Sequence, residues 1–130
     1  MAKTEIHTDD APAPAAAYSQ GVRKGDIVQV AGQVGIDPAT GQVDGTTVGQ
    51  QATRVLRNVD AVLAAAGATV NDVVMFRVYL TDPAHFAELN EAYGAYLAEH
   101  CQQPYPARTT VYVGLPRRLL VEIDALAVVD

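Results

Sequence analysis

The spacing of apolar residues along the chain alternates between the period of a strand and the period of a helix. Two short apolar segments, 18–22 and 27–31, flank a Lys-Gly-Asp step at 24–26, which is typical of a hairpin turn. Residues 32–45 contain Asp-Pro and Thr-Gly steps that favour loop structure. The chain is therefore predicted to begin with two strands joined by a hairpin and followed by a loop.

A long amphipathic helix is predicted after this loop. Apolar residues recur at intervals of three and four from Val48 to Ala66, and Gly67 follows as a C-terminal cap. The apolar face of such a helix has to be buried against a sheet or another helix.

The segment from Val73 to Leu80 is rich in β-branched and aromatic residues, which predicts an interior strand. One face of this strand would carry Val74, Phe76, Val78 and Leu80, and the other face Val73, Met75, Arg77 and Tyr79. Both faces are mainly apolar, so each needs a cover, and a second subunit could supply one of them.

A second helix is predicted to begin with Asp82 as its N-cap and Pro83 in its first position. Asn90 interrupts its apolar stripe, which is formed by Phe86, Leu89, Tyr93, Tyr96 and Leu97. Two last strands follow at about 108–113 and 119–128, joined by a short connection at 114–118. The order β-β-α-β-α-β-β predicts an α+β fold in which both helices pack on one face of a mixed sheet.

The composition fits one globular domain, residues 1–130, with residues 1–17 as an extended N-terminal lead-in. The sequence is 49% hydrophobic and 18% charged. Its net charge is −6, and the Arg117-Arg118 pair is better explained as turn residues. Because nucleic-acid binding requires clustered cations, a nucleic-acid partner is not expected. A single buried arginine could still bind a small anion.

The cysteine and histidine residues indicate which cellular compartment and which cofactors to expect. Cys101 is the only cysteine, so no intrachain disulfide can form, and no segment has the length of a signal peptide core or a membrane span. We therefore expect a cytoplasmic protein with no membrane partner. His7, His85 and His100 lack the spacing of metal ligands, so no metal site is expected.

Polar residues on the last two strands form the candidate chemical site. Arg108 and Thr110 alternate onto one face of the first strand, and Glu122 and Asp124 onto one face of the second. A hairpin centred near Arg117 would place Thr110 opposite one of the two acids and Arg108 beside an acid. The other interpretation is a cross-strand ion pair on a solvated face, without chemistry.

Three features favour a functional site over a solvated ion pair. Asn90 breaks an apolar stripe, where an unpaired amide would cost about 1–3 kcal/mol. The Pro-Tyr-Pro-Ala segment at 104–107 is a stiff approach that fixes where the strand with Arg108 begins. The Gly32-Gln33 step allows close approach of the backbone.

Taken together, these segments resemble the RidA/YjgF family from about residue 18 to residue 128. The resemblance rests on Tyr18-Ser19-Gln20-Gly21-Val22, Gly32-Gln33, Asn90 with Tyr93, and Pro106-Ala107-Arg108 followed by Glu122-Ile123. It implies a chorismate-mutase-like (ferredoxin-like) α+β fold and a homotrimer with clefts between subunits. It also implies hydrolysis of 2-imino acids, or of their enamine tautomers, to 2-oxo acids and ammonia without a metal or organic cofactor.

The same resemblance assigns roles to individual residues. Arg108 would bind the substrate carboxylate through its planar fork, Glu122 would orient or activate the attacking water, and Thr110 would lie beside that water. The residues expected to line the substrate cleft are Tyr18, Ala31, Gly32, Asn90 and Tyr93.

Three positions depart from the family pattern. Thr110 stands where a cysteine is common, Ala31 where a serine is common, and Ala17 where a proline usually precedes the tyrosine. These departures leave two alternatives open. One is a non-catalytic small-ligand-binding or chaperone-like trimer, and the other is an endoribonuclease, which the acidic charge disfavours.

Overall fold

Helix α1 spans Val48–Ala65 in the computed structural model, which describes all 130 residues. Its first turn is closed by a capping box, in which Thr47 accepts a hydrogen bond from the Gln50 amide and the Gln50 side chain accepts one from Thr47. Gly67 follows in the left-handed region with φ of 78°, as a C-terminal cap requires. The prediction for this helix is confirmed at both ends.

Helix α2 spans Phe86–His100 and follows a single 3₁₀ turn at Pro83–His85. Asp82 caps that turn by accepting a hydrogen bond from the Ala84 amide at 2.9 Å. The predicted cap is therefore correct, but the chain tightens into a 3₁₀ turn before the α-helix begins. This is common at helix N-termini.

Six strands form one mixed sheet. They are β1 (Thr4–Ile6), β2 (Gly21–Lys24), β3 (Ile27–Val34), β4 (Val73–Leu80), β5 (Ala107–Tyr112) and β6 (Val121–Val128). Their order across the sheet is β1-β2-β3-β6-β4-β5, with only β4 and β5 parallel. Both helices pack on one face of this sheet, as the apolar pattern predicts.

The core lies between the two helices and the middle of the sheet. Phe76, Val78 and Leu80 of β4 are fully buried on the helix side, and the Phe76 ring meets Tyr93 of α2 edge-on at 5.8 Å. The opposite face of the sheet is not covered within this chain. It carries a mixture of polar and apolar side chains.

One predicted face of β4 needs correction at its start. The register against β6 shifts between Val73 and Met75, so Val73 turns toward the helices with 5% exposure and Val74 turns outward with 49% exposure. A β-bulge inserts one residue and reverses the alternation on one side of it. The sequence pattern assumed an unbroken alternation and therefore placed Val74 inward.

The N-terminal strands also differ from the prediction. β2 begins at Gly21, and Tyr18 lies before it in an irregular segment rather than in a strand. β3 continues through a bulge to Val34, where a loop was expected from residue 32. The lead-in at 1–17 contains β1, which pairs with β2 and extends the sheet edge.

The predicted hairpin between the last two strands is wrong. β4 lies between β5 and β6, because residues 113–120 cross the end of β4 instead of making a tight turn. Hydrogen bonds from Val113 N to Leu80 O (2.8 Å) and from Thr81 N to Leu120 O (3.2 Å) fix this crossing at both ends. Thr110 is therefore not opposite Glu122 or Asp124, and the cross-strand pairing of Arg108 with an acid does not form.

No helix in the structure combines the length and the apolar character needed to cross a bilayer.

The bulge in β4 predicts unequal effects for two adjacent valines. Val73→Ala should lower the free energy of unfolding by about 2 kcal/mol, because it removes buried methyl groups. Val74→Ala should change it by no more than about 0.5 kcal/mol, because that side chain is half exposed. Urea denaturation at one protein concentration measures both, and a larger loss for Val74→Ala would contradict the bulge.

Candidate active site

Arg108 is anchored on the helix side of the sheet by two hydrogen bonds. It pairs with Phe76 in the β4–β5 ladder and therefore points to the same face as that core residue. Its Nη2 donates to Asn90 Oδ1 at 2.6 Å and its Nε donates to Thr110 Oγ1 at 2.9 Å. The amide that interrupts the apolar stripe of α2 thus has a partner, which is the guanidinium.

The guanidinium of Arg108 also lies against two aromatic rings. Its Cζ is 4.7 Å from the ring centre of Tyr93 and 5.7 Å from that of Phe86. These cation–π contacts hold the plane of the fork in place. The pattern of α2 had marked Phe86 only as a core residue, although it is 43% exposed and lies at the site.

No carboxylate lies within ion-pair distance of Arg108. Of its five N–H groups, only one on Nε and one on Nη2 are used within the chain, so both N–H groups of Nη1 and the second N–H of Nη2 have no partner in it. A half-buried cation with a free bidentate edge is suited to an external carboxylate.

Tyr93 contributes a neutral phenol beneath this cation. Burial raises the pKa of Tyr93 to about 12, although the charge of Arg108 opposes the shift. The phenol therefore stays protonated at neutral pH. Its hydroxyl is buried and has no hydrogen-bond partner in the chain.

Glu122 lies on the other face of the sheet, over Gly32. In the ladders it pairs with Tyr79 of β4 and Val34 of β3. A Cβ at position 32 would lie 2.5 Å from Glu122 Oε2, so only glycine leaves room for the carboxylate in this position. Burial raises the pKa of Glu122, and the nearby charge of Asp124 raises it further.

A second polar network surrounds Glu122 on the same face. Asp124 accepts hydrogen bonds from Arg77 Nε at 2.8 Å and from the Tyr79 hydroxyl at 2.9 Å. The hydrogen bond to Asp124 raises the pKa of Arg77, and burial raises that of Tyr79. The sequence contained a signal for this network, because Arg77 and Tyr79 alternate onto the face of β4 that does not meet the helices. The sequence alone predicts no chemical role for Arg77 and Tyr79.

The sheet therefore divides the predicted site residues into two groups. Arg108, Thr110, Asn90 and Tyr93 lie together on the helix side. Glu122 and Gly32 lie together on the open side, and Ala31 adjoins them in the bulge of β3. Within one chain the two groups do not form one site.

Tyr18 and Cys101 lie outside both groups. Tyr18 is 51% exposed, and its hydroxyl accepts a hydrogen bond from the Ala15 amide at 3.2 Å. Cys101 is the C-cap of α2, and burial raises the pKa of its thiol, so it is a poor nucleophile at neutral pH. No group of three or more acidic, histidine or cysteine side chains lies close enough together to hold a metal ion.

Comparisons with known proteins identify the family. The family model described as Endoribonuclease L-PSP matches residues 8–129, nearly the whole chain. The 2-iminobutanoate/2-iminopropanoate deaminase of Salmonella typhimurium is 43% identical over 129 residues, which cover 98% of each protein. The chain belongs to the RidA/YjgF family.

Solved structures of the RidA/YjgF family share the fold. The crystal structure of Escherichia coli TdcF with bound serine has a TM-score of 0.92 at 39% identity, covering 98% of this chain and 99% of that one. The E. coli YjgF gene product has a TM-score of 0.90 at 39% identity, covering 96% of this chain and 98% of that one. Other relatives at similar identity are described only as RutC family proteins. The family and the fold are thus established, while relatives carry different functional descriptions.

The contact between Gly32 and Glu122 predicts the effect of adding one methyl group. In Gly32→Ala the new Cβ would overlap the carboxylate, so the Glu122 side chain should swing away and solvent should reach it. A crystal structure of the variant measures this displacement. Gly94→Ala is the matched control, because a Cβ there meets nothing within 4 Å. An unmoved Glu122 carboxylate in Gly32→Ala would contradict the contact.

Proposed function

We propose that this chain is a hydrolytic deaminase of 2-imino acids and of their enamine tautomers, releasing 2-oxo acids and ammonia. The 43% identity to the Salmonella deaminase supports this reaction, and the serine in TdcF supports a small amino-acid-like ligand. The proposed substrate is a small anion, and the reaction requires no metal or organic cofactor. We place it in the cytoplasm, where Cys101 would stay reduced.

The observation that carries the proposal is the free edge of Arg108. Asn90, Thr110 and Tyr93 fix the guanidinium from three sides and leave its Nη1–Nη2 edge unoccupied. A 2-imino acid presents a carboxylate next to its reactive carbon. Binding that carboxylate to a fixed fork would orient the carbon for attack.

The chemistry then needs one water molecule and one proton carrier. The water oxygen bonds to C2 of the protonated imine, and Glu122 accepts the proton that this oxygen loses. Glu122 then returns this proton to the nitrogen of the carbinolamine, the C–N bond breaks, and ammonia leaves. The hydroxyl group of the carbinolamine loses its proton to solvent as the C2–O bond becomes a carbonyl. A carboxylate with a raised pKa suits this exchange, because it returns a proton more readily near neutral pH.

A homotrimer with clefts between subunits would unite the two groups of residues. Arg108 and Glu122 point to opposite faces of one sheet, so a complete site requires Arg108 from one copy and Glu122 from a neighbour. The open face of the sheet, which bears Glu122, has no cover within the chain. In this arrangement Gly32 and Ala31 line the same cleft wall as Glu122, and Tyr18 is assigned to its rim.

Thr110 takes a different part from the cysteine common at this position. Its hydroxyl accepts the Nε–H of Arg108, so it helps to fix the guanidinium. Ala31 offers no hydroxyl to the substrate and leaves that wall apolar. Contacts of this kind determine which substrate side chains the cleft accepts.

We expect Arg108→Ala to lose at least about 100-fold in kcat/KM, because the substrate carboxylate loses its bidentate partner. Arg108→Lys should recover only part of the loss, since an ammonium lacks the planar fork. The assay follows 2-oxo acid formation from imino acids generated in situ by an amino-acid oxidase, with spontaneous hydrolysis subtracted. Arg117→Ala is the control, because Arg117 is an exposed arginine of the 113–120 crossing.

Two outcomes would defeat this proposal. Equal rates of 2-oxo acid formation with and without the unaltered protein would show that it does not hydrolyse imines. A rise in Tm with 2-oxo acids but no turnover would instead indicate a binding protein of the same fold.

Mixing two inactive variants tests whether the site is shared between subunits. Arg108→Ala and Glu122→Gln chains, unfolded together and refolded at equal concentrations, should regain activity. In random trimers about one quarter of the clefts would pair a native Arg108 with a native Glu122.

Each variant refolded alone is the control for this mixing experiment. Recovery to roughly a quarter of the unaltered activity supports a site built by two chains. No recovery from mixtures shown by mass spectrometry to contain hybrid oligomers would contradict it.

A further inference from the structure

Two carboxylates lie on the open face of the sheet, and they differ in burial and in hydrogen bonding. Asp124 is 8% exposed, and each of its oxygens already accepts a hydrogen bond, one from Arg77 and one from Tyr79. Glu122 is half-buried and accepts no hydrogen bond within the chain. Asp124 is therefore fixed in place, while Glu122 is free to exchange a proton.

The two carboxylates are close enough to interact. They are two residues apart on β6 and share one face, which puts their Cα atoms about 7 Å apart. Tyr79 pairs with Glu122 in the ladder and bonds to Asp124 through its hydroxyl, so it spans the space between them. At such a distance on a partly buried surface, the charge of one carboxylate raises the pKa of the other.

We propose that Asp124, clamped by Arg77 and Tyr79, is a positioning residue that holds a fixed negative charge beside Glu122 and sets the pH at which Glu122 can take up a proton. This inference rests on the proposed function, since it assigns Glu122 a proton-transfer role. Asp124 does not touch substrate. It acts only through Glu122.

Few other groups on this chain can affect Glu122. Of the strands packed against it, β4 supplies Tyr79 and Arg77, and β3 carries no titratable side chain from Ile27 to Val34. In the proposed trimer, an Arg108 from a neighbouring copy would face it as well. Burial and the charge of Asp124 both raise the pKa of Glu122. Removing the charge should therefore lower that pKa.

The test is Asp124→Asn, which removes the charge and keeps the shape. The amide oxygen can still accept from Arg77, and the amide nitrogen can donate to the Tyr79 oxygen. Because Glu122 has to be ionised to accept the water proton, the acidic limb of the kcat/KM profile should move to lower pH. The ¹³C-labelled side-chain carboxyl of Glu122, assigned with Glu122→Gln, should titrate lower by a similar amount in NMR spectra.

Two further variants separate an electrostatic role from a structural one. Tyr79→Phe removes a hydrogen bond to Asp124 but no charge at neutral pH. The acidic limb of the kcat/KM profile and the Glu122 titration should therefore stay in place, even where the rate falls. Asp44→Asn breaks the Arg54–Asp44 ion pair, which has the same 2.8 Å Nε–oxygen distance but lies away from this face. It should shift neither readout.

A Glu122 titration in Asp124→Asn that coincides with that of the unaltered chain would overturn the inference. So would equal shifts in Tyr79→Phe and Asp124→Asn, because loss of packing would then explain both. Absence of imine hydrolysis by the unaltered chain is a separate result that defeats the proposed function. The NMR titration still shows in that case whether Asp124 governs the protonation of Glu122.

Discussion

Neighbouring residues on a β-strand point to opposite faces of the sheet, and this alternation governs where the proposed reaction could occur. Arg108 pairs with the core residue Phe76, whereas Glu122 pairs with Tyr79 on the other face. No rotation of the two side chains can bring them together through a packed sheet. The cation and the acid on which imine hydrolysis would depend are therefore separated within every copy of the chain.

Each of these two groups of residues nevertheless carries a charge that has no partner within the chain. On the helix side, a fixed guanidinium has no acid within ion-pair distance and keeps its bidentate edge free. On the open side, Arg77 Nε donates to Asp124, and no cation of the chain lies within ion-pair distance of Glu122. Keeping a half-buried charge unpaired is costly unless something outside the chain compensates it. A neighbouring copy and an anionic substrate together would do so.

Capping and periodicity within one segment predict the helices well. They fail where the structure depends on which strands pair with each other. The capping chemistry of α1 and the interruption of α2 at Asn90 could be read from the sequence, because both depend on nearby residues. The bulge at Val73–Met75 left no local mark, and it moved Val74 to the outside. Alternation correctly placed Arg108 and Thr110 on one face, but it could not reveal that β4 would lie between β5 and β6. A five-residue hairpin and a crossing over one strand have similar sequences.

The most direct measurement is a crystal structure of the protein grown with a small 2-oxo acid such as pyruvate. We expect the carboxylate to bind the Nη1–Nη2 edge of Arg108 from one copy. The C2 carbon should then lie within reach of a water held by Glu122 from a neighbouring copy. A 2-oxo acid bound away from Arg108, or an assembly in which Arg108 and Glu122 of adjacent copies stay far apart, would contradict it.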